Sequence, residues 1–220
     1  MSDNVSHSGN HVDRNEMTRI AIIGAGLAGL VVARRLSGHH EVAVFEKSRG
    51  VGGRMATRRA SPFEFDHGAQ FFTARSAAFR KFLEPLISAG VVASWNARFV
   101  ELPAGPASGD RQWADDYPHY VGVPGMNAVG KWLARNLDVQ TGVEVANINR
   151  GGRRWRLTDT HGTDLGDFDW VVLAAPAPQT ARLAPAESDI SERAMTARMR
   201  ACCALLLGFD APLDLPWDAA

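Results

Sequence analysis

The residues best suited to chemistry lie near the start of the chain, in Gly24-Ala25-Gly26-Leu27-Ala28-Gly29. Three glycines at this spacing, between an apolar run and a helical pattern, make a turn suited to a phosphate. Gly24 allows the tight turn, Gly26 removes the Cβ that would block a pyrophosphate, and Gly29 lets helix and strand pack closely. The anion then rests against the helix N-terminus, where unpaired N–H groups and the dipole favour negative charge. Glu46 stands 20 residues after Gly26, where a strand-end carboxylate can accept hydrogen bonds from ribose hydroxyls and disfavours a 2′-phosphate. Gly52-Gly53-Arg54 follows, close enough to fold back over the same pyrophosphate, and a guanidinium can fork onto two phosphate oxygens. Singly, each feature has a plainer reading: a tight turn, a solvated carboxylate, a surface arginine. Jointly they point to dinucleotide binding.

These residues need a βαβ unit to position them. Arg19 to Ile23 is expected as a buried strand, Leu27 to Leu36 as a helix stopped by Gly38, and Glu41 to Phe45 as a second strand parallel to the first. The fold class is therefore α/β. Further along, Phe63 to Asp66 is expected as a strand, Ser76 to Ala89 as a helix, and Phe99 to Leu102 as a strand before the loop Pro103 to Asp110. Met126 to Asn136 reads as a helix. Val139 to Ile148, Trp155 to Thr158, Trp170 to Ala175 and Cys202 to Phe209 read as strands, the last after a helical stretch around Glu192 to Arg200. No internal repeat occurs.

Composition narrows the function. The 220 residues balance 24 Lys plus Arg against 24 Asp plus Glu, so no bulk field recruits nucleic acid or an anionic membrane. No segment reaches the roughly 18 to 20 continuous apolar residues of a membrane helix. Met1 to Met17 is polar, unlike a signal peptide or anchor, and is expected to be a disordered tail. Cys202 and Cys203, adjacent in an apolar run, suit buried thiols in the cytoplasm better than a disulfide or a metal site.

The stretch Glu46 through Arg59, Glu-Lys-Ser-Arg-Gly-Val-Gly-Gly-Arg-Met-Ala-Thr-Arg-Arg, resembles the second FAD motif of the amine oxidase and renalase superfamily. Phe65-Asp66-His67-Gly68-Ala69-Gln70-Phe71-Phe72-Thr73 resembles the segment that follows it in renalase-like bacterial FAD oxidoreductases. Tyr120 to Met126 resembles the family's lead-in to a helix that re-enters the FAD domain. Val139 to Ile148 resembles its adenine-contacting strand, and Val171 to Pro176, with Gln179, the turn returning toward the flavin.

The resemblance implies FAD as cofactor, held by Gly24, Ala25, Gly26, Leu27, Ala28, Gly29, Glu46, Lys47, Gly52, Gly53, Arg54, Met55, Ala56, Gln70, Val145 and Pro176, and no metal. It also implies a Rossmann-like FAD-binding domain of the amine-oxidase type, residues 18–75 and 124–180, interleaved with a partial α+β substrate domain on a mixed sheet, residues 76–123 and 181–220. The activity implied is hydride transfer from a small molecule to flavin with oxygen as acceptor. Renalases would oxidise reduced nicotinamide dinucleotide isomers; other members oxidise amines or desaturate. No acid/base pair stands out. His67, beside Asp66, is more often a structural hydrogen-bonding residue than a catalytic one, and Gln70 is the better choice for the flavin-facing wall. Trp95, Trp113, Tyr117 and Tyr120 suit a flat pocket or plain core.

Family members run longer, and nothing from Cys202 to Ala220 matches their last FAD motif. An inactive nucleotide-binding chain is therefore the alternative. An NAD-dependent dehydrogenase ranks last, having no use for Gly52-Gly53-Arg54.

Overall fold

A computed structural model describes residues 17–100, 118–185 and 188–219. Among the described residues, twelve strands and five α-helices follow in chain order: β1 (Arg19–Ile23), α1 (Leu27–Leu36), β2 (Glu41–Glu46), β3 (Thr57–Ala60), β4 (Phe63–Asp66), β5 (Phe72–Thr73), α2 (Ala77–Ser88), β6 (Val92–Ser94) and β7 (His119–Gly122). Then come α3 (Asn127–Leu133), β8 (Asp138–Thr141), β9 (Val145–Gly151), β10 (Arg154–Asp159), β11 (Asp164–Phe168), β12 (Trp170–Leu173), α4 (Ala177–Leu183) and α5 (Ile190–Met195).

The opening βαβ unit forms as expected and seeds a parallel sheet in the order β12-β1-β2-β8. Strand β1 is apolar on both faces because both are covered, as parallel strands require. Ile20 and Ile22 enter one hydrophobic cluster with Leu30 and Ala33 of α1 and Val129 and Leu133 of α3. Ala21 and Ile23 enter a second, with Val145, Ile148, Leu157 and Phe168 of the antiparallel sheet β11-β10-β9. Alternation along one strand thus divides the core into a helix layer and a sheet layer. Ile22 and Val44 are fully buried, each worth about 1.5–3 kcal/mol of transfer free energy.

The first cluster continues into Leu83 and Leu86 of α2, Val92 of β6 and Tyr120 of β7. These strands form the antiparallel sheet β5-β7-β6, and β3 pairs with β4 in a separate hairpin. Helix α2 starts where Ser76 accepts a hydrogen bond from the Phe79 N–H, the ordinary serine cap.

Several segments depart from expectation. Val139 to Ile148 is two strands in two sheets: β8 runs parallel to β2, whereas β9 pairs antiparallel with β10. Gly142, at φ +74°, makes the break, and Gly142 N–H and Val143 N–H donate to Ser48 O and Glu46 O at 2.9 and 3.0 Å. An alternating apolar pattern cannot distinguish one strand from two joined by a glycine turn. The polar β3 and β11 were not expected. Pro176, read as a strand terminator, is also the N-cap of α4.

Cys202 to Phe209 forms no strand, and both thiols are exposed, not buried. The run has strand-like composition, but no described sheet edge pairs with it. The helix near Glu192 ends at Met195. Phe99 makes only an isolated bridge, to Ala219. Residues 1–16, and most of the Phe99 to Asp110 stretch, lie outside the described residues.

Candidate dinucleotide site

The glycine turn joins β1 to α1, and its three glycines differ as the spacing implied. A Cβ on Gly29 would lie 2.0 Å from Gly24 O, an impossible overlap, so helix and turn touch at backbone level. Gly24, at φ +107°, abuts Ala174, whose carbonyl oxygen would lie 3.0 Å from a Cβ there. At Gly26 a Cβ would meet nothing within 4 Å. Two glycines are needed for packing, and the third faces open space.

The N-terminus of α1 opens onto that space. Its N-cap, Gly26, offers no side chain to the first turn, and that turn holds no acidic residue. The leading N–H groups of this ten-residue helix therefore keep their capacity for an external anion.

Glu46 is buried, with 7% of its surface exposed. One carboxylate oxygen accepts from Ala25 N–H and the other from Ser48 N–H, both at 2.8 Å. It is thus not the solvated strand-end group of the plainer reading, but a tie between the tip of β2 and the glycine turn. Each carboxylate oxygen has a second acceptor site, so ribose hydroxyls are still compatible with it.

The second glycine pair closes against the first turn. Gly52 N–H donates to Ala25 O at 2.9 Å, and Gly26 and Gly52 form a parallel bridge. Gly52 and Gly53 take φ values of +113° and +55°, a region that favours glycine. A Cβ on Gly53 would sit 3.2 Å from Gly26 Cα. Arg54 follows in a short 3-10 turn. Ala69 N–H donates to its carbonyl oxygen at 2.9 Å, while its guanidinium is exposed and makes no hydrogen bond or ion pair with a described residue. An unneutralised cation therefore lies in the loop that closes on the phosphate turn.

Other residues frame this pair of turns without having been singled out as framing. Gly68 packs so closely on Arg54 that a Cβ would lie 2.0 Å from its carbonyl oxygen, and a Cβ on Gly130 of α3 would lie 2.8 Å from Gly52 Cα. Asp66 accepts from Met126 N–H at 3.0 and 3.1 Å and from the Thr57 hydroxyl, and so holds the N-terminus of α3. In the sequence Asp66 stands at a strand end beside His67; its acid-before-helix role needs a tertiary contact 60 residues away.

The remaining candidates fall in different places. Leu27, Ala28 and Lys47 are exposed, Ala56 is half-buried and Met55 packs against the first core cluster. His67 and Gln70 are exposed and make no hydrogen bond with a described residue. Val145 is buried in the second cluster, with 5% exposed. Pro176 is exposed two residues beyond Ala174, which Gly24 touches. Tyr120, 9% exposed, stacks on Phe72 in the core. Trp95 packs with Phe71 and Phe99, and both of these rings also meet His119. His119 and Tyr120, adjacent on β7, point to opposite faces, so these aromatics do not share one wall. Trp113 and Tyr117 lie outside the described residues.

At the far end, Asp218 takes Arg98 in a bidentate pair at 2.9 and 3.1 Å, and also accepts from Arg98 N–H at 2.8 Å. The Arg98 side-chain bonds, then the backbone bond, push the Asp218 carboxyl down to about 2. Val100 N–H donates to Ala219 O at 2.9 Å, which completes a clasp between these segments.

Comparison with known proteins bears on the family and the fold. Residues 22–86 match the NAD(P)-binding Rossmann-like domain family. A fatty acid isomerase of P. acnes that produces CLA superposes with a TM-score of 0.61 at 16% identity, covering 81% of this chain and 63% of that one. A putrescine oxidase redesigned in its cofactor site gives 0.63 at 14% identity, covering 82% and 64%. At such identities the likeness shows the fold. The 4,4'-diapophytoene desaturase of Staphylococcus aureus (strain Newman) is 49% identical over 51 residues, 23% of this chain and 10% of the desaturase. The chain thus spans less than two thirds of the solved structures and matches a tenth of that enzyme. Residues 92–220, more than half of the chain, match the flavin-containing amine oxidoreductase family; the chain belongs to that family, whose flavin cofactor, FAD, the glycine turn, Glu46 and Arg54 are suited to hold.

Proposed function

We propose that this chain binds FAD through its two glycine turns and serves an oxidoreductase that takes a hydride from a small molecule, a reduced nicotinamide dinucleotide isomer in the manner of renalases or an amine. The observation that carries the reading is Gly26: an uncrowded glycine among packed ones, at an uncapped helix N-terminus, against the turn that leads to an arginine with no partner among the described residues. When bound, FAD supplies the two-electron acceptor, with a hydride leaving the substrate carbon and oxygen taking up two electrons and two protons as hydrogen peroxide. Gly26 and the leading N–H groups of α1 would receive the pyrophosphate, and Arg54 would fork onto its oxygens. Glu46 would accept from the adenosine ribose while holding Ala25 in place. Lys47, Met55 and Ala56 would flank the cofactor, Val145 and Pro176 would meet it from β9 and the end of β12, and Gln70 would face the flavin. Hydride loss from a reduced nicotinamide or a neutral amine needs no general acid or base at the reacting carbon, whereas a protonated amine would first give its proton to solvent. The proposed division into an FAD-binding part, 18–75 and 124–180, and a substrate part, 76–123 and 181–220, follows the same reading.

A second reading, nucleotide binding without turnover, is favoured by residues 201–219, which form no strand or helix. The visible spectrum of purified protein and the flavin it releases on denaturation test both. A yellow protein releasing stoichiometric FAD, which then produces peroxide from reduced nicotinamide isomers or amines, is the expected result. A folded, colourless protein that takes up no added FAD overturns the first reading.

A further inference from the structure

A separate cavity of about 300 Å³ lies between α1, α2 and α3. Arg34 and Arg35 line it from the last turn of α1. Arg34 stands eight positions after Gly26, about 12 Å away at the α-helical rise. Lys81 lines it from α2, and Trp132 from α3. Three cations thus converge with no lining carboxylate among the described residues, in a chain whose formal net charge is zero.

The cations are not equivalent. Arg34 lies over the Trp132 ring at 4.7 Å and donates to Leu133 O and Arg135 O at 3.3 and 3.4 Å, so its charge serves the carbonyl end of α3. Arg35 and Lys81 make no hydrogen bond or ion pair with a described residue. The floor between them is apolar, formed by Val31 and Leu86, and Trp132 adds a flat wall. Clustered like charges repel one another, and two uncompensated cations over an apolar floor with an indole wall match a ligand that has both an anionic group and a flat ring. The volume lies at the small end of the range for small-molecule sites.

We propose that the α1–α2–α3 cavity is a second ligand site, outside the dinucleotide turn, for a small aromatic anion, its acid group held by Arg35 and Lys81 and its ring against Trp132. The site does not depend on FAD.

The test uses the full chain labelled with ¹⁵N at its six tryptophans, with the Trp132 indole signal assigned through Trp132→Phe. Phenyl phosphate, benzoate and inorganic phosphate are titrated in turn, with and without FAD. Saturable movement of the Trp132 signal by phenyl phosphate is expected, with the same dissociation constant in either condition. Inorganic phosphate should bind about tenfold more weakly for want of a ring. Tighter binding of benzoate than of phenyl phosphate would support the site and identify the acid group as a carboxylate. Arg35→Glu and Lys81→Glu should each weaken binding about tenfold; Arg35→Gln and Lys81→Gln, milder changes at exposed positions, guard against misfolding and should weaken it less. Absence of saturable movement, or affinity unchanged in the charge-reversed variants, overturns the proposal.

Discussion

The first βαβ unit and the last two dozen residues contain similar proportions of apolar side chains yet end in opposite states. In the first, Ile22, Leu30 and Val44 are fully buried. In the second, Leu205 is 83% exposed and Leu207 60%, and the clasp of Arg98 and Val100 on Asp218 and Ala219 fastens the segment near its end. Burial depends on having a partner surface: helix α1 returns beside the strand it leaves, so β1 finds its cover within a few residues. Among the described residues the later run has no such return. Local order in the first region is set by contacts at backbone distance, which makes it intolerant of small changes.

Breaking that contrast begins with Gly29→Ala. A Cβ 2.0 Å from Gly24 O forces helix and strand apart, and a loss of about 3 kcal/mol or more is expected from chemical denaturation. Glu46→Ala comes next, since it leaves the Ala25 and Ser48 N–H groups without their acceptor. A cost of about 2–4 kcal/mol in unfolding free energy is expected, together with loss of bound FAD. Gly26→Ala sharpens the distinction between packing and binding. Its φ is −75° and its surroundings are open, so unfolding free energy should stay within about 0.5 kcal/mol while FAD retention in equilibrium dialysis collapses. If retention is unchanged, the open side of Gly26 is not where the pyrophosphate lies.

Smaller effects are expected in the other region. Leu205→Ser with Leu207→Ser should leave the denaturation midpoint nearly unchanged, because neither side chain gives up much buried area, and should reduce aggregation seen by light scattering. Asp218 is held below its ordinary value by Arg98, so the clasp is favoured above the unfolded-state pKa, near 4, and is lost as pH falls from there toward about 2. The hydrogen-exchange protection factor of Val100 N–H, corrected for the intrinsic rate at each pH, should therefore fall over that window. Asp218→Asn should show weak protection at every pH.

The sequence made the site more legible than its surroundings. The glycines, Glu46 and Arg54 act within short spans, so spacing alone was enough to anticipate the turn, its helix and its carboxylate. What could not be anticipated depended on distant partners. The division of Val139 to Ile148 follows from Gly142 and the end of β2, and the role of Asp66 follows from a helix 60 residues onward. The exposed Cys202 to Phe209 run shows the reverse failure: side-chain chemistry favoured a strand, but pairing needs an edge.

Glu46 has a consequence for redesign. Because its carboxylate is already the acceptor for Ala25 and Ser48, the proposed ribose contact and the shape of the loop share one side chain. Replacing it with arginine, a natural first move toward a 2′-phosphorylated dinucleotide, would substitute five donors for an acceptor that two main-chain donors require. An exchange of cofactor at this position would thus call for new acceptors in the loop, and a library varied only at the proposed ribose contact would leave the Ala25 and Ser48 N–H groups unsatisfied.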